Sequence, residues 1–286
     1  MKVIVRLACV AVAVMASGCA TLADLFTDDA VRAAAAIPAH PSHAPSGTQF
    51  AKDLEGMPME ARERAVLAEL RRGNMPSFLR RLKPVTLTSR DPQGNSHVGT
   101  VWVMPDYLAV GTDGDFLRVP MNPMTAQRVA DHFGFVLPTK KLVDEVYRQA
   151  DRRLNPDPLP PGDRMGSINY YQRHNSMIER QVGGMHGTLM AGQKKDIVLT
   201  NRLQEIHNRV AIYGWHRDQT NPIQPLSIVH AHTYADYSHG VRLVYGMMKV
   251  DGDWKPVAEV MQDPLLAPLL SDEGMIRLTR IATDCM

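Results

Sequence analysis

The fold class is decided by residues 84–104, which read PVTLTSRDPQGNSHVGTVWVM. Two runs of alternating apolar and polar residues, rich in Val and Thr, flank the turn sequence DPQGN at 91–95. This pattern predicts a β-hairpin, because β-branched residues favour strands while Asp, Pro, Gly and Asn favour turns. The segments YLAVG (107–111) and FLRV (116–119) are expected to extend the hairpin as an antiparallel meander.

Helical patterns lie on both sides of this hairpin. Apolar residues recur among charged ones from Pro58 to Arg72, with Pro58 suited to a first helical turn. Further predicted elements follow along the chain: helices at 125–132, at 139–154 with Thr139 as N-cap, and at 168–182, and strands at 196–200, 209–215 and 241–250. We therefore expect an α+β fold, with antiparallel sheets and packed helices, as one large domain or two small subdomains.

The globular part is expected to cover residues 51–286. Hydrophobic residues make up 44% of the chain, which is enough for a substantial core. The segment LNPDPLPPGD at 154–163 interrupts the pattern with closely spaced prolines and aspartates, so a subdivision is expected, if anywhere, near 155–165. The net charge of +2, with acidic and basic residues interspersed, argues against a nucleic-acid partner.

Residues 1–18 have the parts of an export signal. Lys2 and Arg6 are positively charged, and the following apolar run, 7–15, is too short to span a bilayer. The sequence ASGC at 16–19 resembles the lipobox of bacterial lipoproteins, in which the cysteine is lipidated and becomes the mature N-terminus. The resemblance implies a palmitate-type acyl anchor on Cys19 and, through it, a membrane partner.

The lipobox also implies a cellular location. Ala20 stands where Asp would signal retention in the inner membrane, so the enterobacterial sorting pattern implies an outer-membrane lipoprotein facing the periplasm or the surface. Residues 19–50, rich in Ala, Pro and Ser, are expected to form a tether. Only Cys285 then remains beside the lipidated cysteine, so the fold must be stable without an internal disulfide.

Candidate chemistry is concentrated in residues 215–242, WHRDQTNPIQPLSIVHAHTYADYSHGVR. Seven of the eleven histidines lie between His174 and His239. Imidazole is the side chain best suited to proton transfer near neutral pH, and a nearby carboxylate orients it. The candidate catalytic residues are His216, His230, Asp236 and His239, with Arg242 as a stabiliser of developing negative charge.

The same stretch offers a metal-binding alternative. If the HAH step at 230–232 lies on a strand, both imidazoles share one face. With Asp236 or a third histidine they would complete the protein ligands of a catalytic zinc ion. The candidate metal ligands are His230, His232, Asp236 and His239, and zinc is the candidate cofactor. Ser238 would face away from His239 on a strand, which makes a serine nucleophile the minor option.

Aromatic and polar side chains around this stretch are candidates for substrate binding. They are Trp215, Gln224, Tyr234, Tyr237, Lys194 and Lys195. Aromatic faces beside polar groups are typical of carbohydrate and peptide platforms, and a lysine could hold an anion. The motif YADYSHGVRLV at 234–244 also resembles a family of secreted bacterial proteins without an assigned activity, so the resemblance implies no reaction.

These observations favour an envelope-anchored hydrolase that acts on a cell-envelope or imported polymer through a His/Asp centre, with or without a metal. The alternative is a non-catalytic lipoprotein in which the same residues form a polar groove for a glycan, a peptide or a partner protein. In a third interpretation the histidines are buried and paired, and serve the fold alone.

Overall fold

The computed structural model describes residues 37–283, which form an α+β fold of helices and mainly antiparallel sheets. Its α-helices are α1 (Gly47–Leu54), α2 (Met59–Arg71), α3 (Pro123–Phe133), α4 (Lys140–Gln149), α5 (Ile168–Val182) and α6 (Val257–Gln262). Its strands are β1 (Lys83–Arg90), β2 (Ser96–Val103), β3 (Ala109–Gly111), β4 (Phe116–Arg118), β5 (Phe135–Val136), β6 (Arg152–Arg153), β7 (Met190–Ala191), β8 (Lys195–Ile197), β9 (Ile212–His216), β10 (Pro222–Ser227), β11 (His239–Gly240), β12 (Val244–Tyr245), β13 (Met247–Val250) and β14 (Asp253–Pro256). The predicted fold class is confirmed.

The larger sheet is built around β2. Strand β1 pairs antiparallel with the whole of β2, from Lys83 opposite Val103 to Arg90 opposite Ser96, as the hairpin prediction requires. The other edge of β2 pairs with β12 and β13, which gives the order β14-β13-β2-β12-β5. The predicted meander is wrong, however, because β3 and β4 pair only with each other in a separate two-stranded sheet.

The helix ends follow local capping chemistry. The Thr139 hydroxyl accepts a hydrogen bond from the backbone N–H of Leu142, as predicted for an N-cap. Gly134 and Gly183 end α3 and α5 in the left-handed conformation, with φ of 72° and 59°. Helix α4 is shorter than predicted, since the residues after it form β6, which pairs in parallel with β7.

The predicted single strand at 241–250 is interrupted at Gly246. Its N–H donates to the carbonyl oxygen of Gly134, and a Cβ at position 246 would lie 2.5 Å from that oxygen. A larger residue therefore cannot continue the strand without moving the end of α3. Beyond this break, Asp251 and Gly252 have positive φ values of 52° and 99° and form the two-residue turn between β13 and β14.

The smaller sheet carries five of the candidate site residues: Lys195, Trp215, His216, Gln224 and His239. Its strand order is β10-β9-β8-β11, and β8 and β11 are parallel. In its register, Lys195 on β8 lies between His239 on β11 and Gly214 on β9. The segment that joins β10 to β11 contains residues 228–238 and includes both histidines of the HAH step. This sheet therefore positions the candidate chemistry.

The ordered fold begins earlier in the chain than predicted. Helix α1 starts at Gly47, and the side chains of Ile37 and Phe50 are buried in the main core, so the expected tether at 19–50 is partly folded. Leu159 belongs to the same core. This core contains residues from before and after the predicted subdivision near 155–165, so both parts share one hydrophobic cluster. Cys19 and the predicted export signal lie outside the described residues. Within residues 37–283, no helix combines the length and apolarity needed to cross a bilayer.

Candidate functional site

Asp236 and His239 lie in one tight turn at the start of β11. The His239 N–H donates to the Asp236 carbonyl oxygen, and the His239 Nε2 atom lies 3.9 Å from Asp236 Oδ2. The other carboxylate oxygen accepts hydrogen bonds from both the N–H and the hydroxyl of Ser238. Ser238 and His239 therefore approach the same carboxylate, and the prediction that they face away from each other is wrong because Ser238 lies in the turn before β11 and not on the strand.

The His239 imidazole is buried, and its hydrogen-bonding capacity is unused. Its exposed fraction is 0%, and neither ring nitrogen has a hydrogen-bond partner among the described residues. Burial lowers the pKa of His239 to about 4, although the Asp236 charge opposes this shift. The imidazole is therefore neutral at neutral pH and retains a nitrogen lone pair that can accept a proton.

The carboxylate of Asp236 is ionised. Burial alone would raise the pKa of Asp236, but the charge of His239 when that ring is protonated, the hydrogen bonds from Ser238 and the Lys195 charge hold it below its usual value. Its Oδ2 atom also accepts a hydrogen bond of 2.9 Å from the Tyr234 hydroxyl. A buried anion thus lies beside a buried neutral imidazole.

Tyr234 and His230 form the outer rim of this site. The Tyr234 ring meets the His239 ring edge-on with a centroid separation of 5.6 Å, and it stacks on His230 at 4.2 Å. Both rim side chains are partly exposed, whereas His239 is not. Burial and the adjacent Asp236 charge raise the pKa of the Tyr234 hydroxyl, which remains a hydrogen-bond donor. A ligand approaching His239 from solvent meets these two rings first.

Trp215 and Lys195 lie on the neighbouring strands of the sheet. The Lys195 ammonium is 5.2 Å from the centroid of the Trp215 ring, in a cation–π contact. Burial lowers the pKa of Lys195, and the Asp236 charge opposes this shift. Trp215 has a φ of 57°, a left-handed conformation that is strained for a bulky residue, and its indole N–H has no partner among the described residues. Local strain is therefore concentrated next to the site.

A buried lysine lies behind Trp215. The Lys194 ammonium donates to the Tyr237 carbonyl oxygen at 2.6 Å and lies 3.4 Å from His174 Nδ1. Burial, together with the Arg118 charge, lowers the pKa of Lys194 to about 7. Burial lowers the pKa of His174 to about 2, so this histidine is neutral. Lys194 is directed into the interior rather than toward a ligand at the Tyr234 rim.

The structure pairs His216 with a residue that sequence reasoning missed. The His216 Nε2 atom lies 3.0 Å from Asp144 on α4, and its ring stacks on Tyr147 from the same helix. Asp144 also accepts a hydrogen bond of 2.6 Å from Tyr213. This group joins α4 to β9. The His216 imidazole is therefore oriented by Asp144, and among the described residues no hydrogen bond, ion pair or ring contact joins it to Asp236 or His239 as the predicted reactive centre would require.

Arg242 connects parts of the fold. Its terminal nitrogens donate to the carbonyl oxygens of Met104 and Met190, and its guanidinium lies 4.7 Å from the centroid of the Tyr107 ring. The side chain is buried, with 2% exposed. These contacts make Arg242 a positioning residue that joins the segment just after β2 to β7, and they give no support to its predicted role at a developing charge.

Two predicted substrate-binding residues also have contacts within the fold. The Tyr237 hydroxyl donates to the Leu159 carbonyl oxygen and accepts a hydrogen bond from the Leu159 N–H. It anchors the proline-rich segment to the core. The Gln224 amide on β10 donates to the carbonyl oxygen of Pro225 and is partly exposed, so it lies on the surface of the smaller sheet.

The structure separates the two histidines of the HAH step. They do not lie on a strand. The backbone there pairs with the chain only at one isolated bridge, between Arg209 and Ala231. On either side of this bridge, the His232 N–H donates to the Asn208 carbonyl oxygen and the Val210 N–H donates to the His230 carbonyl oxygen. His230 stacks on Tyr234, whereas His232 lines a largely apolar cavity together with Leu203 and Ile206. In the described part of the chain, no group of three or more His, Cys, Asp or Glu is placed to hold a metal ion. The candidate zinc ligands therefore gain no support from the geometry.

Asp196 and Tyr107 form a second buried pair that the sequence did not reveal. The Tyr107 hydroxyl donates to Asp196 at 2.8 Å, and burial raises the pKa of Asp196 to about 6. Gly240 makes room for this pair, because a Cβ at that position would lie 2.6 Å from the Tyr107 ring.

Gly240→Ala is accordingly expected to displace the Tyr107 ring and to lower the free energy of unfolding by about 1–3 kcal/mol, the usual cost of overpacking. Gly114→Ala is the matched control, because an added Cβ there meets nothing within 4 Å and is expected to change stability by less than about 0.5 kcal/mol. Urea denaturation followed by circular dichroism measures both. Equal stabilities for the two variants would contradict the close approach of Tyr107.

No protein-family model matches the chain, and no curated protein or solved structure matches it at a significant level. Function is therefore inferred from the geometry of the site.

Proposed function

We propose that the protein is an envelope-anchored hydrolase in which His239 is the general acid–base and Asp236 orients it. The observation that carries this proposal is the state of the His239 ring: it is buried and neutral, it adjoins an ionised carboxylate, and both of its nitrogens are unbonded among the described residues. Buried polar groups are normally paired, and an unpaired one calls for an explanation. A reacting water molecule or hydroxyl supplies the missing partner.

The neighbouring groups suit a proton-transfer role. His239 accepts a proton from the attacking water and returns it to the leaving group, while the Asp236 anion stabilises the transient imidazolium. The Tyr234 hydroxyl, 2.9 Å from Asp236, is a proton donor at the rim of the site. Lys195, partly buried against Trp215, supplies a positive charge for the oxyanion that forms. This centre uses His230, Tyr234, Asp236, His239 and Lys195 of the predicted set, without His216.

The proposed substrate class follows from the proposed location of the protein at the outer membrane. A lipid on Cys19 would hold the domain at the outer membrane, where cell-envelope and imported polymers are the available substrates. The stacked rings of His230 and Tyr234 form an aromatic surface at the entrance, and such surfaces suit sugar rings and peptide planes.

The test is the turnover of defined probes by the full chain: dye-labelled peptidoglycan, dye-labelled polysaccharides and nitrophenyl esters. His239→Gln is expected to reduce the turnover of the cleaved probe about 100-fold, at the lower end of the range for a lost acid–base. Because no hydrogen bond to the His239 ring is broken among the described residues, its thermal unfolding midpoint is expected to stay close to that of the unmodified chain.

His132→Gln is the matched control, since this histidine is exposed on α3 and its replacement is expected to leave turnover unchanged. A His239→Gln variant that unfolds instead of losing turnover would support the architectural interpretation. A chain that cleaves none of the probes but binds one of them, with affinity lost in His239→Gln, would support the alternative, a non-catalytic glycan- or peptide-binding lipoprotein. The architectural interpretation is favoured by one observation, the complete burial of His239 behind the Tyr234 rim.

A further inference from the structure

A second concave site lies away from the His239 centre, between the start of α3, the segment 199–209 and the C-terminal segment 278–282. This cavity has a volume of about 140 Å³. Apolar side chains form most of its wall, chiefly Leu199, Leu203, Ile206 and Leu278. Ile206 and Leu278 are also among the most exposed large hydrophobic residues in the described chain, each with 46% of its surface accessible. Apolar surface of this kind is stabilised when a ligand covers it.

The volume sets the size of the apolar group that fits. A dry apolar cavity of about 150 Å³ holds one benzene molecule, so a cavity of this size accommodates about six carbon atoms. It is too small for the long chain of a membrane lipid. The occupant therefore has a short apolar part.

The rim of the cavity is basic. Arg209, Arg280, His207 and His232 line it, and among the described residues no carboxylate does. Arg280 is paired with Asp131 outside the cavity, but Arg209 has as its described partner only the Val229 carbonyl oxygen, which accepts a hydrogen bond from one of its nitrogens. Most of the Arg209 guanidinium is therefore available to an anion.

His232 supplies a further polar group. It lines the cavity, and its buried Nδ1 atom has no hydrogen-bond partner among the described residues. The unpaired His232 nitrogen is a second observation, separate from the arginine charges at the rim, that indicates a polar ligand group in this cavity. Together, an apolar pocket of limited size, an available guanidinium and an unpaired imidazole nitrogen complement a molecule with one carboxylate and one short apolar chain.

We propose that this cavity binds a free fatty acid with a short chain of about six carbons, with the alkyl chain against Leu203 and Ile206 and the carboxylate at Arg209 and His232. The proposal is independent of the hydrolase function, because none of these residues belongs to the His239 centre. It also explains why the HAH step contains two histidines with different surroundings: His230 belongs to the rim of the candidate active site and His232 to the wall of this cavity.

The test is isothermal titration of the full chain, in lipid nanodiscs, with butanoate, hexanoate and octanoate, after subtraction of titrations into empty nanodiscs. Affinity is expected to rise about fourfold for each methylene added from butanoate to hexanoate, as apolar burial requires, and then to level off once the cavity is full. Hexanol, which has the same chain without the carboxylate, is expected to bind at least about tenfold more weakly than hexanoate.

Two variants test separately how the Arg209 charge and the apolar cavity contribute to binding. Arg209→Gln is expected to weaken hexanoate binding about tenfold without changing the affinity for hexanol. Its matched control is Arg202→Gln, because Arg202 also donates to a backbone carbonyl oxygen, that of Leu226, but does not line the cavity. Leu203→Trp fills the cavity and is expected to abolish the dependence on chain length.

The proposal is overturned if hexanoate shows no saturable binding, if hexanol binds as tightly as hexanoate, or if Arg202→Gln and Arg209→Gln have equal effects. Binding that is strongest for octanoate and remains with Leu203→Trp would mean adsorption to a lipid surface, and would also overturn it. A hexanoate optimum with selective loss in Arg209→Gln would confirm it.

Discussion

Arg118→Met is expected to lower the free energy of unfolding by about 3–5 kcal/mol, because it leaves a buried carboxylate without its cation. The Arg118 guanidinium is 1% exposed and donates to both oxygens of Asp106, with the closest contact at 2.5 Å. A further nitrogen donates to Glu179 at 2.7 Å. Burial alone would raise the pKa of Asp106, but Arg118 outweighs it and keeps that pKa below its usual value. With the cation removed, Gln193 would remain as a side-chain donor to Asp106.

Urea denaturation at neutral pH measures this loss. Arg148→Met is the control, since Arg148 pairs with Glu145 while 53% of its side chain is exposed, and its loss is expected to cost less than about 1 kcal/mol. Adding Asp106→Asn to Arg118→Met is expected to recover part of the stability, because the unpaired charge is removed. In the single variant the Asp106 pKa is no longer depressed, so the gap to the unmodified chain should narrow as the pH falls toward 4. Equal losses for Arg118→Met and Arg148→Met would contradict this account.

The fold was predictable where its signals are local. The hairpin at 84–104 contains both strands and their turn within one short stretch, and Thr139 caps α4 through a contact only three residues away. The predictions are wrong where strands pair with residues that are distant in the sequence. Helix α4 ends early because Arg152 and Arg153 pair with Met190 and Ala191, and such long-range pairing leaves no mark on the local pattern.

The same distinction applies to the candidate site. Asp236 and His239 are three residues apart, so a local motif was enough to bring them together. The partner of His216 is Asp144, which lies 72 residues earlier on a surface helix and has no unusual sequence context. The sequence FLRV predicts only a strand for Arg118. Nothing in it indicates that the Arg118 guanidinium donates to Asp106 in the core. Buried polar networks of this kind are determined by packing, and their members look like surface residues in a sequence.

Lys194 is the residue expected to give the protein its strongest dependence of stability on alkaline pH. Burial, with the Arg118 charge in addition, lowers its pKa from 10.5 to about 7, whereas Asp236 and Asp106 oppose the shift. Between these two values the unfolded chain binds a proton that the folded chain does not, so stability rises with pH in that window. The slope approaches about 1.4 kcal/mol per pH unit where the difference in bound protons is one.

Between pH 7 and pH 9 the unmodified chain should therefore gain about 2 kcal/mol in unfolding free energy relative to Lys194→Met, which cannot titrate at this position. Methionine keeps much of the volume of the side chain but leaves the Tyr237 carbonyl oxygen without the Lys194 donor, so the variant is compared with itself across pH rather than with the unmodified chain at one pH. Lys52→Met, at an exposed position of α1, is the matched control and should follow the unmodified chain. Urea denaturation at pH 7, 8 and 9 measures the three curves. If Lys194→Met gains as much stability as the unmodified chain over this range, Lys194 stays protonated in the folded chain as it does in the unfolded chain, and the buried ammonium is not the source of the dependence.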